Sequence, residues 1–128
     1  MSALKSEIQD GLLTVRQRPD GDRICIALDG ELDLSNAETV EATLLAALGS
    51  DKEVLIDLSK LEFIDSTGIS LLVMALKIKE SGLSFLPCES DEVRRLLDLT
   101  GLDQRMRFAT APQAVLSEEE TPPALPTA

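Results

Sequence analysis

The stretch LEFIDSTGI, residues 61–69, decides the fold because it joins the two most apolar parts of the chain. Residues 53–58 lead into it as a nearly continuous apolar run, which is typical of a strand buried on both faces. Residues 70–79 follow it with the length and apolar content of a helix. Ser66 therefore lies at a strand-to-helix junction, where the first backbone N–H groups of the helix lack partners. Two uses of its hydroxyl stay open: it can cap the helix, or it can carry a phosphate, which a helix N-terminus favours.

The N-terminal half of the chain predicts a hairpin followed by a helix. Residues 12–18 and 23–30 have the pattern of strands, and the turn residues at 19–22 join them in antiparallel fashion. Ser35 is followed three residues later by Glu38. That is the spacing of a capping box, so we expect a helix to start at Ser35.

The C-terminal half alternates between helices and strands. Gly82 is expected to end the helix that follows the central stretch, and residues 83–86 are expected to form a strand. Ser90 is expected to cap a helix over 91–100, and residues 102–109 are expected to hold a short final strand. A hairpin followed by this alternation predicts an α/β fold in a single domain, with a mixed β-sheet and helices packed on it.

The formal net charge of −11 over 128 residues argues against two classes of partner. Such a surface repels nucleic-acid backbones and anionic lipid, so we expect no direct nucleic-acid partner and no membrane partner. We also expect no membrane span and no secretory signal, because no run of about 18 apolar residues and no basic lead-in to an apolar segment is present. A cytoplasmic location is therefore expected. Residues 117–128, with three Glu and three Pro, are predicted to be a disordered acidic tail.

The absence of His, Trp and Tyr limits the chemistry that the chain can perform. Without histidine there is no Ser-His-Asp or Cys-His catalytic group, and the commonest metal ligand is missing. We therefore expect no enzymatic activity, no metal site and no cofactor. Cys25 and Cys88 are too few for a disulfide framework or a zinc site, and we expect them to be small buried residues in a reducing compartment.

Gly68 lies in the first turn of the predicted helix, where glycine costs about 1 kcal/mol relative to alanine. This cost indicates that another group approaches the backbone closely there. The helix also has two apolar stripes, of which one can face the sheet while the other is covered by a neighbouring helix or exposed to a partner. The first stripe contains Ile69, Leu72, Val73 and Leu76, and the second contains Leu71, Met74, Ala75 and Ile78.

Acidic residues crowd the same region of the sequence, and a solvated acidic surface explains them without any function. If they converge in space, a phosphate on Ser66 would add about −1.5 to −2 charges to a site that is already negative. Phosphorylation would then weaken an interface more than it remodels the fold. The acids in question are Asp57, Glu62 and Asp65, with Glu31 and Asp33 expected nearby.

Four motifs of the chain resemble those of the STAS domain in order and spacing. The resemblance covers roughly residues 10–116, so residues 1–9 form an N-terminal lead-in. More narrowly, the chain resembles the bacterial anti-sigma factor antagonists, or anti-anti-sigma factors. The motifs are Gly30-Glu31-Leu32-Asp33, Asp57-Leu58-Ser59, Phe63-Ile64-Asp65-Ser66-Thr67-Gly68 and Leu99-Thr100-Gly101-Leu102.

The resemblance implies a phosphorylation cycle centred on Ser66. In that family an anti-sigma factor, which is a serine kinase, phosphorylates the serine that follows the aspartate. The unmodified antagonist binds the anti-sigma factor and frees the sigma factor, and a PPM-type phosphatase restores the modified form. The chain would act as a monomer or weak dimer. The residues that would contact the partner are Asp33, Asp65, Ser66, Thr67, Gly68, Ile69 and Leu71.

Two alternatives to this cycle stay open. The chain could be a STAS scaffold or a transporter-associated subunit that uses the same helix surface without phosphate. It could also bind a small molecule or nucleotide at the same turn, because Gly68 and the helix N–H groups suit an anion, although the surrounding acids oppose one.

Overall fold

A computed structural model describes residues 5–109 of the chain. The predicted tail at 117–128 lies outside the described residues. The described part forms a mixed β-sheet with three α-helices, as expected of the α/β class. In chain order the elements are β1 (Ser6–Asp10), β2 (Leu13–Asp20), β3 (Arg23–Leu32), α1 (Ala37–Leu48), β4 (Glu53–Asp57), β5 (Leu61–Ile64), α2 (Ser66–Ile78), β6 (Leu83–Leu86), α3 (Asp91–Leu99) and a 3₁₀ turn (Leu102–Gln104).

The sheet combines an antiparallel half with a parallel half. Its strand order is β1-β2-β3-β4-β6; β1, β2 and β3 are antiparallel, whereas β4 is parallel to both β3 and β6. Strand β3 is long enough to pair twice on the same side: residues 23–27 pair with β4 and residues 30–32 pair with β5. The register shifts at Gly30, where φ is +119° and an added Cβ would lie 2.0 Å from the carbonyl oxygen of Leu12. Only glycine fits this close approach of two backbones.

The two faces of the sheet differ in what packs on them. Ile24, Ile26 and Leu28 of β3 alternate into the main core, which they share with residues of all three helices. Cys25 points to the other face, where it packs with Leu55 and Leu86 in a small separate cluster. Among the described residues, the helices therefore cover one face of the sheet.

Helix α2 buries one stripe, and that stripe differs from both predicted ones. Its members follow the i, i+3, i+4, i+7 spacing of a helix that packs against a core. Helix α1 packs beside α2, while Ile78 at the end of α2 stays 47% exposed. The buried stripe takes members of both predicted stripes, and Gly68, which neither included, lets the first turn of the helix join it. The half-buried members Ile69, Val73 and Met74 pack against the same core. The buried residues are Gly68, Leu71, Leu72, Ala75 and Leu76.

Several predicted boundaries shift. Strand β1 lies partly in the segment predicted as a lead-in, and its polar sequence contains only one large apolar residue, Ile8. Helix α1 begins at Ala37, not at Ser35. The expected strand at 102–109 is instead a 3₁₀ turn followed by a single bridge between Phe85 and Phe108. The prediction for α3 is confirmed: the Ser90 hydroxyl accepts a hydrogen bond from the Val93 amide at 3.3 Å.

The packing of Gly68 generates a stability prediction. A Cβ at this position would lie 2.5 Å from Cγ1 of Ile64 and 2.9 Å from Cγ of Leu32, both in the core. We expect Gly68→Ala to lower the free energy of unfolding by about 1–3 kcal/mol through overpacking, despite the better helix propensity of alanine. Urea unfolding measures this, with Ser70→Ala at an exposed position of the same helix as the control. A Gly68→Ala protein at least as stable as the wild type would contradict the packing.

The thiol of Cys25 generates a pH prediction. Burial, reinforced by the nearby charge of Asp57, raises the pKa of this thiol from 9.0 to about 11. The unfolded chain therefore ionises first, and stability should fall as the pH rises from about 9 to about 11, by roughly 2–3 kcal/mol. Urea unfolding across this range should show a steeper decline for the wild type than for Cys25→Ala. Parallel declines in the two proteins would contradict this account of the thiol.

Candidate functional site

The candidate site lies where two neighbouring parallel strands end. Leu32 of β3 pairs with Ile64 of β5, so the chain leaves both strands at the same edge of the sheet. The loop that follows β3 contains Asp33, and the turn that follows β5 contains Asp65. Carboxyl ends of parallel strands are where α/β proteins commonly place their binding sites.

Asp65 holds these two segments together through its carboxylate. Its Oδ1 accepts a hydrogen bond from the Gly68 amide at 3.1 Å, and its Oδ2 accepts one from the Leu34 amide at 3.2 Å. Asp65 has the extended backbone of an N-cap, with φ −109° and ψ −172°. The cap of α2 is thus Asp65, which corrects the expectation that Ser66 caps the helix with its own oxygen.

Ser66 is the first residue of α2 and is exposed. Because Asp65 satisfies the amide of Gly68, the hydroxyl of Ser66 is not needed to cap the helix. It lies at the positive end of the helix dipole, where a phosphate is tolerated. The position thus combines an accessible hydroxyl with a helix end that accepts negative charge.

The loop between β3 and α1 is fixed by side chains of its own. Asp33 Oδ1 accepts hydrogen bonds from the amide and the hydroxyl of Ser35, at 3.0 and 2.6 Å. Asn36, only 1% exposed, accepts from the Asp33 amide at 3.0 Å and donates to the carbonyl oxygens of Glu31 and Asp10. Because Asp33 holds the hydroxyl of Ser35, that serine does not cap α1, which explains why the capping-box prediction was wrong.

Only part of the predicted acidic cluster assembles. Asp33 and Asp65 accept hydrogen bonds from consecutive amides of one loop: the carboxylate of Asp65 accepts from the amide of Leu34, and that of Asp33 accepts from the amide of Ser35. Asp57 instead faces the Cys25 side of the sheet, is 8% exposed and accepts a hydrogen bond from the amide of Ser59. Asp33 and Asp65 are therefore the members of the predicted cluster whose hydrogen bonds place them in the two segments of the candidate site.

The predicted contact residues differ in how much surface they offer. Ser66 is exposed, and Thr67 and Ile69 are half-buried. Gly68 and Leu71 are buried, and the close approach expected at Gly68 is made by core side chains rather than by a ligand. We therefore leave both out of the candidate surface and assign them to the core.

The structure adds two residues that the sequence pattern did not indicate. Leu34 is 75% exposed in the loop that Asp65 holds, and Leu12 is 69% exposed in the turn between β1 and β2. Leu34 is a single leucine in a polar loop, so no periodicity signals it, whereas Leu12 is included in the predicted strand at 12–18 but precedes β2, which begins at Leu13.

Other kinds of site find little support at this turn. No group of three potential metal-ligating side chains occurs within residues 5–109. A cavity of about 620 Å³ lies on the Cys25 face of the sheet and another of about 530 Å³ lies beside α3; Ser66 lines neither. In the same part of the chain no helix is both long and apolar enough to cross a membrane.

Residues 13–114 match the family model of the STAS domain. This match spans most of the chain, and the chain therefore belongs to the STAS domain family.

Solved structures of anti-sigma factor antagonists are similar to this chain over most of their length. One from Mycobacterium paratuberculosis is 25% identical, with a TM-score of 0.71, and the match covers 92% of this chain and 97% of that one. An anti-sigma-factor antagonist (STAS) domain protein from Planctomyces limnophilus is 29% identical, with a TM-score of 0.62 and coverages of 81% and 95%. The antagonist SpoIIAA in its unphosphorylated form is 25% identical, with a TM-score of 0.64 and coverages of 79% and 92%.

The cap geometry predicts that neighbouring substitutions differ in their effect on stability. Asp65→Ala removes the acceptor of two backbone amides and should lower the free energy of unfolding by about 1–2 kcal/mol. Ser66→Ala should change it by no more than about 0.5 kcal/mol, because the hydroxyl is exposed and is not the cap. Urea unfolding of both variants measures this. A larger loss in Ser66→Ala than in Asp65→Ala would show that Ser66 caps the helix after all.

Proposed function

We propose that this chain is an anti-sigma factor antagonist that is switched by phosphorylation of Ser66. Unmodified, it binds a kinase-type anti-sigma factor and so releases a sigma factor; phosphorylated, it lets go. The observation that carries the proposal is the exposed hydroxyl of Ser66 at the first position of α2, directly after the capping Asp65, in a STAS domain. The resemblance to SpoIIAA, a protein described by its phosphorylation state, supports it.

Electrostatics gives the proposed switch its direction. A phosphate adds about −1.5 to −2 charges at a point already flanked by Asp33 and Asp65. The helix end offsets only about 0.3–1 kcal/mol of this at an exposed site. A kinase that serves Ser66 must also bring the phosphates of its nucleotide close to that hydroxyl, so the modified serine would face like charges from both sides. A 100-fold loss of affinity corresponds to about 2.7 kcal/mol, which burial of an uncompensated charge at an interface can supply.

The resemblance to anti-sigma factor antagonists implies further partners. We propose that a PPM-type phosphatase removes the phosphate and that the chain itself catalyses neither step. We further propose a cytoplasmic binding module that acts as a monomer or weak dimer, without direct contact to nucleic acid or membrane, in keeping with the net charge of −11.

Substitutions at Ser66 test the switch. Binding of each variant to a purified kinase-type anti-sigma factor from the same organism is measured by calorimetry. We expect Ser66→Ala to bind as tightly as the unmodified protein and to resist phosphorylation, and Ser66→Asp to bind at least about tenfold more weakly. Ser70→Ala and Ser70→Asp are matched controls, because Ser70 is exposed one helical turn further on. Equal affinities of the two Ser66 variants would contradict the switch.

Mass spectrometry tests the site directly. After incubation of the wild type with the kinase and ATP, we expect a single phosphate on Ser66 and none in Ser66→Ala. Modification elsewhere, or none with any kinase-type anti-sigma factor of the organism, would instead favour a STAS scaffold or a transporter-associated subunit.

A further inference from the structure

Two exposed leucines border the segments that surround Ser66. Leu12 and Leu34 are 69% and 75% exposed, and among residues 5–109 only Leu99, at 73%, is a comparably exposed large apolar residue. The remaining exposed apolar side chains of that region are no more than 47% exposed. Single exposed leucines are ordinary in soluble proteins, so the inference rests on two of them lying in loops that are tied together beside the segment of Ser66.

Backbone hydrogen bonds place the two leucines at the same edge of the sheet. The carbonyl oxygen of Leu12 accepts from the amide of Glu31 at 2.9 Å, just before the loop that contains Leu34. The neighbouring carbonyl of Asp10 accepts from the side chain of Asn36 at 3.3 Å, which fastens the β1–β2 turn to that loop. Leu34 is in turn bound to Asp65 through its amide. The two leucines and Ser66 therefore belong to three segments that are tied to one another.

These ties also make the leucines suitable as anchors. Both loops are fixed by hydrogen bonds to their neighbours before any partner arrives, so binding need not pay to order their backbone. Apolar side chains on a backbone that is already ordered lose less conformational freedom on binding, which favours affinity.

We propose that Leu12 and Leu34 are the apolar anchors of this surface, and that they insert into apolar pockets on the kinase-type anti-sigma factor. This inference rests on the proposed function. The reason to expect apolar rather than ionic anchors is the nucleotide: the partner must hold ATP phosphates opposite Ser66, next to the carboxylates of Asp33 and Asp65. With anions on both sides, affinity has to come from contacts that carry no charge.

Affinity measurements on truncated leucines test this surface. We expect Leu34→Ala and Leu12→Ala each to weaken binding to the anti-sigma factor that phosphorylates Ser66 by about tenfold, and Leu34→Asp by more. Because the lost contact is apolar, the fold-change for the alanine variants should be the same at 0.1 M and 0.5 M NaCl. The KM for phosphorylation of Ser66 should rise in parallel with little change in kcat, since the serine itself is untouched.

Leu99→Ala is the matched control, because it removes an equally exposed leucine at the end of α3 and should leave affinity within about twofold. Urea unfolding of all the variants confirms that the exposed positions leave the fold intact. If the wild type is phosphorylated on Ser66 while Leu12→Ala and Leu34→Ala bind as tightly as the wild type, the assignment of the two leucines as anchors is wrong and the proposed function stands. A wild-type protein that neither binds nor is phosphorylated by any kinase-type anti-sigma factor of the organism would overturn both.

Discussion

The site depends on the two hydrogen bonds that the carboxylate of Asp65 accepts. Its two oxygens accept the amides of Gly68 and Leu34, which are three residues and 31 residues away in the sequence. One oxygen thereby starts helix α2, and the other fixes the loop that follows β3. Because a single side chain does both, the start of α2 with Ser66 and the loop with Asp33 and Leu34 are held in one arrangement, and the hydroxyl of Ser66 is not needed for the cap.

The rest of the fold serves to bring these two segments to the same edge. Strand β3 pairs with β5 through a register shift at Gly30, where an added Cβ would meet the backbone of Leu12. The first turn of α2 can press into the core because Gly68 leaves room for Leu32 and Ile64. The buried side chain of Asn36 then ties the β3–α1 loop back to β1 and β3. Each of these constraints is a packing or hydrogen-bonding requirement, and together they fix the two segments between which the serine of the proposed switch lies.

The sequence predicted the elements whose signals are local. The hairpin, the strand at 83–86 and the cap of α3 by Ser90 follow from short-range patterns that the structure confirms, although the hairpin turn is confined to Gly21 and Asp22. Strand β1 escaped prediction because a polar edge strand lacks alternation. The sequence left the cap open as one use of Ser66 and did not point to Asp65, because spacing alone does not distinguish neighbouring acceptors. The bond between Asp65 and Leu34 joins residues far apart in the chain, and no single-sequence pattern contains that information.

The role of Asp65 can be measured directly by an NMR experiment that detects scalar couplings across hydrogen bonds to its side-chain carboxyl carbon. We expect the amides of Gly68 and Leu34 both to couple to this one carbon and both to exchange slowly with water. Coupling to Gly68 alone, with rapid solvent exchange of the Leu34 amide, would contradict this role of Asp65. The loop with Asp33 and Leu34 would then move independently of Ser66.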